Sequence, residues 1–338
     1  MNVPAADRLA PMKFKPIYQE RIWGGTLLGE VLGRQPPAGA VPIGESWELV
    51  DRPDAMSVVD GGDLDGVTFR EVLAHYGAAL TGPKVAANGR FPLLVKLIDA
   101  GERLSLQVHP DQAACAELGG GAEPKTEMWY VIAVRKGAKI LAGLSPRATR
   151  LQMRELLQTP EVEKIMQVYS SQPGDAYFIP AGTPHAIGEG NLILEIQQNS
   201  DTTYRLSDWG RVDAEGRSRQ LHVEQGFRAI NFANRTSPRI TGVTGGVPHN
   251  RKFSIVQMCQ YFNIDDLRLV DVWYDSTAAS ESFHLISAVS GPVRLCRGNG
   301  QLSLELAAGE TALVPYAYGA YSVTPLEKGE TVVIKTTL

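Results

Sequence analysis

Nothing in this sequence supplies a large field of positive charge: 33 Lys and Arg stand against 37 Asp and Glu, a net charge of −4 with a pI near 5.9. Binding to nucleic acid or anionic lipid rests on clustered Lys and Arg, so neither partner is expected. No apolar run approaches the roughly 20 residues that span a bilayer as a helix, and no membrane association is expected on that ground. The amino terminus, MNVPAADRLAPMKFKP, has neither the basic start nor the unbroken apolar stretch of a secretory signal. Cysteine is scarce. Cys115, Cys259 and Cys296 are odd in number and far apart, which argues against a disulfide framework and against a structural zinc site built on paired thiolates. A reducing cytoplasm is the compartment these features fit. Small molecules are the expected partners. The sequence carries no signal for oligomerisation, and a monomer is the default expectation.

What is present is an ordinary globular composition, 43% hydrophobic and 21% charged over 338 residues, enough for two domains with buried cores. Short β-type runs punctuated by 34 Gly and 21 Pro predict a mainly β protein of barrels or sandwiches, with a few helices between strands. GVTFREVLAHYGAAL, with Phe69, Val72, Leu73 and Tyr76 at helical spacing, RATRLQMRELLQ and HVEQGFRAINF read as core-facing helices. NRTSPRITGVTGGVPHN, from Asn234 to Asn250, is rich in Gly, Pro, Ser and Thr. It predicts a linker that divides the chain into domains of residues 1–240 and 241–338. Two segments match across that boundary: GDAYFIPAGTPHAI from Gly174 and GETALVPYAYGAYSV from Gly309 each run Gly, five residues, then Pro. Such a repeat predicts a tight turn followed by an alternating strand that Pro closes. Five residues beyond the Pro, the first copy has His185 and the second Ala320.

The metal reading begins with LSLQVHP, residues 104–110. As an extended strand its side chains alternate, so Leu104, Leu106 and Val108 point one way and Ser105, Gln107 and His109 the other. A polar strand face ordinarily meets water. Two further segments carry matching chemistry: KTEMWYVIAV puts Lys125, Glu127 and Trp129 on one face of another strand, and His185 lies beyond the Gly-Pro turn. Each residue alone also reads as surface, core or ion-pair partner. Together, Gln107, His109, Glu127 and His185 can converge in one barrel as two imidazoles, a carboxylate and an amide, a set that suits zinc, iron or manganese. A divalent ion held by a single carboxylate keeps about one positive charge and can act as a Lewis acid. Lys96, in LLVKLID, is flanked by apolar residues, which predicts a buried or cleft position.

The pattern G-x5-P-x-G-x2-H from Gly174 to His185 resembles the second signature motif of the cupins. LSLQVHPD, PKTEMWYV and QQNSDTTYRLSDWGR resemble the type I mannose-6-phosphate isomerases. ERIWGG, Glu20 to Gly25, and GESWEL, Gly44 to Leu49, extend the match over most of residues 12–230 and more weakly to the end. The chain resembles the short bacterial form, without room for the large helical domain of longer relatives. The resemblance implies two cupin-like β-barrels of jelly-roll type, with helical insertions in the first. It also implies one zinc ion per chain on Gln107, His109, Glu127 and His185, Arg205 in TYRLSDW as the catalytic arginine, and Lys96, Ser105 and Lys125 in contact with substrate. Gln107 stands where many cupins carry the first His of H-x-H, a Gln that fits the isomerase family, and the Asn expected soon after the second-motif His is displaced to Asn191. In the second domain Ala320 replaces the ligand, and His284 in ESFHLISAVSG lacks convincing partners, so residues 241–338 read as a metal-free barrel.

The implied reaction interconverts mannose 6-phosphate and fructose 6-phosphate through an enediolate, in which negative charge builds on oxygen. Arg offers a rigid fork of donors for phosphate or that oxyanion, Lys a mobile point charge and Ser a short hydroxyl donor. The base is open among Glu195 in NLILEIQQ, Lys125 and Asp201. Trp23 and Trp47 read either as entrance or as packing. Two other classes compete. Two His and a carboxylate also make the facial triad of a non-haem iron dioxygenase, and a bicupin can bind sugar without turnover. Gln107 with the Lys and Arg set disfavours the first; the intact ligand set and Arg205 disfavour the second.

Overall fold

β-Branched and aromatic residues in short alternating runs, cut by Gly and Pro, carry more of this chain into antiparallel strands than into helices. The computed structural model describes residues 4–338 apart from 38, 40, 86–88, 214, 241, 248, 299 and 301. Contacts gather the chain into two units: residues 18–46 with 95–240, and residues 1–17 and 47–94 with 241–338. The chain thus passes between units at 17/18, 46/47, 94/95 and 240/241.

The unit that includes residues 95–240 holds two sheets. A seven-stranded sheet runs Arg239–Ile240, Ala176–Ile179, Glu127–Val134, Asn191–Gln198, Leu93–Ala100, Ile43–Leu49, Ile17–Glu20. A five-stranded sheet runs Tyr204–Ser207, Leu106–Val108, His185–Ile187, Lys139–Leu144, Met166–Ser170. Neither closes on itself, so the expected barrel is a pair of facing open sheets of cupin type. Trp129, Val131, Tyr177, Ile179 and Ile193 of the longer sheet meet Ile140, Ala142 and Ile187 of the shorter one in a single buried cluster. The other face of the shorter sheet is also covered. There Leu106, Val108, Leu141, Ala186 and Leu206 pack with Met153, Leu157, Phe227 and Ile230. The period of two then has a direct consequence: with Leu106, Val108, Ala186 and Leu206 facing outward, Gln107, His185 and Arg205 face the space between the sheets, as Ile187 does.

Two helices supply much of that outer cover. The Arg150–Leu156 helix is nucleated by a reciprocal capping box between Thr149 and Gln152, and the second is Val223–Ala229. In GVTFREVLAHYGAAL, a box of Thr68 with Glu71 starts Phe69–Tyr76, and Gly77 at φ 45° separates it from Ala78–Thr81. The expected linker contains strand. Arg239 pairs with Tyr177, and Val243–Val247 pairs antiparallel with Asn250–Val256; its β-branched Ile and Val residues favour this over a free tether. Residues 241 and 248 of that segment lie outside the described residues.

In the other unit an eight-stranded and a four-stranded sheet surround a core that includes Leu267, Ile286, Val293, Leu306, Tyr318 and Tyr321. The sequence repeat is a structural one. Gly174 and Gly309 turn at φ 88° and 82°, and their N–H groups donate to Val131 O and Ala288 O at 2.9 and 2.7 Å. Four-residue strands follow, Ala176–Ile179 and Thr311–Val314, and the next strands begin at His185 and Ala320. The register goes further: Glu127 lies opposite Ile179 as His284 lies opposite Val314, so His284 holds the place of Glu127. It does have partners: Ser280 Oγ is 2.7 Å from Nε2 and Tyr321 Oη 2.7 Å from Nδ1.

Candidate metal centre

Three of the expected ligands converge in the unit that includes residues 95–240. His109 Nε2 lies 3.4 Å from Glu127 Oε2, and His185 Nε2 lies 3.4 Å from Glu127 Oε1. One ligand atom from each falls within 4.8 Å of the others, and all three side chains are buried. The histidine tautomers follow from their backbone partners. His109 Nδ1 is 2.8 Å from Thr202 O and His185 Nδ1 is 2.8 Å from Thr183 O. A carbonyl oxygen only accepts, so Nδ1 carries the proton and each Nε2 lone pair is aimed at Glu127. Burial, which disfavours the imidazolium, pushes His185 down to about 3 and also lowers His109. Both rings are therefore neutral at physiological pH.

Gln107 stands opposite His185 on the neighbouring strand, with Nε2 3.3 Å from His185 Nε2 and Ser105 Oγ 3.3 Å from its Oε1. Half a turn of the amide about its terminal torsion exchanges Nε2 for Oε1 at the cluster. His109 Nε2 and Glu127 Oε1 are buried without a hydrogen bond, and Glu127 Oε2 has the Lys125 ammonium at 2.8 Å. Orphaned acceptors at such density are costly unless a cation or donor completes them. The donor set of two imidazole nitrogens, one carboxylate and an adjacent amide fits a divalent ion of the zinc, iron or manganese type.

Around this cluster runs a chain of alternating charge. Lys125 Nζ is 2.8 Å from Glu127 Oε2 and 3.7 Å from Glu195 Oε1. Lys96 Nζ lies 3.8 Å from Glu195 Oε1 and 3.9 Å from Glu45 Oε2, and Arg21 closes the chain on Glu45 at 3.1 Å. Burial alone would depress Lys125, but Glu127 and Glu195 outweigh it and hold the ammonium charged. Burial raises the Glu127 carboxyl, yet Lys125 and the two imidazoles bring it well below the usual range. Glu195 goes the other way: burial raises it beyond what Lys125 and Lys96 offset. Trp129 fixes that carboxylate by donating Nε1–H to Oε2 at 2.9 Å.

A cavity of about 430 Å³ opens here, lined by Lys96, Ser105, Gln107, Lys125, Glu195, Asp201 and Arg205, a size that suits a small metabolite. Every site residue drawn from the sequence thus lies at the cluster or on this wall. Trp23 also lines it, whereas Trp47 packs with Val50 and Leu94. Arg21, Glu45 and Arg219 line the cavity too and were not anticipated. The period of two places Glu45 and Trp47 on one face of GESWEL, which says nothing of what that face meets. Among the described residues no helix is long and apolar enough to cross a membrane.

A two-sheet β unit of cupin type, with a buried His-Glu-His cluster at the base of a polar cavity, defines a candidate metalloprotein acting on a small polar ligand. Comparison with known proteins narrows the class. The family description phosphomannose isomerase type I, catalytic domain, matches residues 12–133. Mannose-6-phosphate isomerase ManA of Bacillus subtilis is 34% identical over 317 residues, covering 93% of this chain and 95% of that protein. The mannose-6-phosphate isomerase of Streptococcus mutans is 38% identical over 222 residues, 66% of this chain and 68% of that one. A crystal structure of the Bacillus subtilis mannose 6-phosphate isomerase superposes with a TM-score of 0.84 at 28% identity, covering 98% of this chain and all of that one. The chain belongs to the type I mannose-6-phosphate isomerase family, whose members are aldose–ketose isomerases.

Proposed function

We propose that this protein interconverts mannose 6-phosphate and fructose 6-phosphate by proton transfer through an enediolate, with one zinc ion held by Gln107, His109, Glu127 and His185. The observation that carries the proposal is the aim of two imidazole lone pairs at one buried carboxylate, at the floor of a cavity walled by cations. When bound, the divalent ion supplies Lewis acidity and positive charge where the sugar oxygens become anionic. The remaining steps belong to the chain. Glu195 moves the proton between the neighbouring carbons: its Oε1 is buried and makes no hydrogen bond, while Trp129 immobilises its Oε2. Lys125, kept protonated by Glu127 and Glu195, stabilises negative charge on the sugar. Ser105 and Lys96 orient its hydroxyls, and Arg205 offers its donors to anionic oxygen. The chemistry is assigned to residues 1–240, with no ligand from residues 241–338. The unpaired thiols of Cys115, Cys259 and Cys296 support a cytoplasmic setting.

The test is a coupled assay of mannose 6-phosphate isomerisation on chelator-stripped protein and on the same protein after zinc is restored. Activity should vanish and return. Activity that survives complete removal, or that no divalent ion restores, overturns the mechanism.

A further inference from the structure

The cations that line the cavity are not equivalent. Arg21, Lys96, Lys125 and Arg219 each face a carboxylate. Arg205 does not: its Nη1 donates to Gln220 O at 2.8 Å, and its Nε is buried with no partner. Beside it, Arg219 is gripped along one edge. Asp208, 5% exposed, accepts from Arg219 Nε at 2.8 Å through Oδ2 and from Nη2 at 2.5 Å through Oδ1. That Oδ1 also accepts from Arg211 at 2.9 Å, so one carboxylate serves two guanidiniums. The grip leaves Arg219 Nη1 without a hydrogen bond on a side chain that lines the cavity. Burial first, and then the nearby charge of Arg219, depresses the Arg205 guanidinium. Two guanidiniums that repel each other, one with an orphaned N–H, form an incomplete anion site.

We propose that Arg219, held in place by Asp208, joins Arg205 to form the clamp for the phosphoryl group of the sugar phosphate, with Asp208 as a positioning residue that does not touch substrate. This rests on the isomerase reading above and deepens it by fixing which end of the cavity takes the phosphate. The lysines are poor candidates for that end, because Glu45, Glu127 and Glu195 already face them. A phosphoryl group carries about −1.5 to −2 charge at neutral pH, which matches the Arg205 guanidinium, paired with no carboxylate, together with that of Arg219, whose carboxylate is shared with Arg211. Lysine cannot replace Arg219, since an ammonium has no edge of paired N–H groups to rest on Asp208 while presenting another donor to the ligand.

The test compares metal-loaded wild-type protein with Arg219→Gln, Arg219→Lys and Asp208→Asn in two measurements: calorimetric titration with inorganic phosphate, and steady-state kinetics on mannose 6-phosphate. Loss of one charge-assisted phosphate contact should weaken phosphate binding in Arg219→Gln by about ten- to a hundredfold and raise KM by a similar factor, with kcat much less changed. Asp208→Asn should shift both quantities in the same direction by a smaller factor, and Arg219→Lys should recover only part. Unchanged phosphate affinity in Arg219→Gln, or a fall in kcat at constant KM, overturns the clamp. If Asp208→Asn does not fold, the two Arg219 variants still decide the matter. Wild-type protein that binds phosphate through Arg219 yet does not turn over mannose 6-phosphate would leave the clamp standing and remove the isomerase reading.

Discussion

Gln107 and His185 face each other on adjacent antiparallel strands, and their side chains meet inside the unit with Nε2 atoms 3.3 Å apart. With the His185 proton fixed on Nδ1 by Thr183 O, the imidazole accepts from the amide. The same amide, turned over, places a carbonyl oxygen at the cluster. Gln107 thus has a resting partner and a ligand role at one position. Gln107→Leu keeps most of the volume and removes the oxygen donor. Zinc retention during dialysis against graded chelator should weaken by at least about tenfold, the scale seen when metal sites lose a supporting group. Retention equal to wild type would show that Gln107 is not a ligand.

Lys125 and Glu127 form a buried pair at 2.8 Å, and breaking one side of such a pair leaves the other charge stranded. The usual cost is about 3–5 kcal/mol. Glu127→Gln should fall toward the lower end, because Glu195 remains 3.7 Å from the ammonium. Urea unfolding of the metal-free proteins measures it. The double variant Glu127→Gln, Lys125→Met should regain most of the lost stability, since no unpaired ion stays buried. A double variant as unstable as the single one would mean that the carboxylate matters through packing instead.

Much of the site was legible because strand periodicity and side-chain chemistry coincide in it. Alternation in LSLQVHP separates Gln107 and His109 from Leu106 and Val108; the apolar face is buried under helices, and the polar face lies at the cluster, with His109 buried and Gln107 half-buried. The repeat at Gly174 and Gly309 was legible because a positive-φ turn and a closing Pro constrain sequence tightly. Its deeper part was not: His284 holds the place of Glu127 through pairing with Val314, and register between distant strands leaves no local mark. Nor does sequence show that residues 47–94 gather with residues 241–338. Close approaches are equally silent. In ERIWGG, a Cβ on Gly24 would stand 2.6 Å from the Ile43 carbonyl, so that glycine is required by a neighbouring strand. Arg219 escaped notice because its meaning comes from Asp208, eleven residues earlier, and a charged pair at that spacing implies nothing by itself.

His284 gives the protein a pH dependence that the metal cluster does not govern. Its ring is buried, with Ser280 Oγ on one nitrogen and Tyr321 Oη on the other at 2.7 Å each. Burial, and after it the charge of Lys335, pushes the imidazolium pKa down to about 3 against the smaller opposing pull of Asp275. Unfolded, the same histidine titrates near the ordinary value of about 6.5. Between those values the unfolded chain binds the extra proton, so this contribution to stability is complete above about pH 6.5 and is lost as the pH falls toward about 3. Asp275, held below its usual range, adds a loss of the same sign only at the acid end. Asp99 acts oppositely: burial raises it from 3.8 to about 6, so its contribution is complete below about pH 3.8 and is lost as the pH rises through about 6. Comparing variant with wild type cancels the Asp99 part. Across pH 7 to 4, the unfolding free energy of metal-loaded His284→Gln, from urea titration, should fall less steeply than that of wild type, the two curves converging by on the order of a few kcal/mol. Parallel curves would show that His284 is as easily protonated in the folded protein as in the unfolded chain.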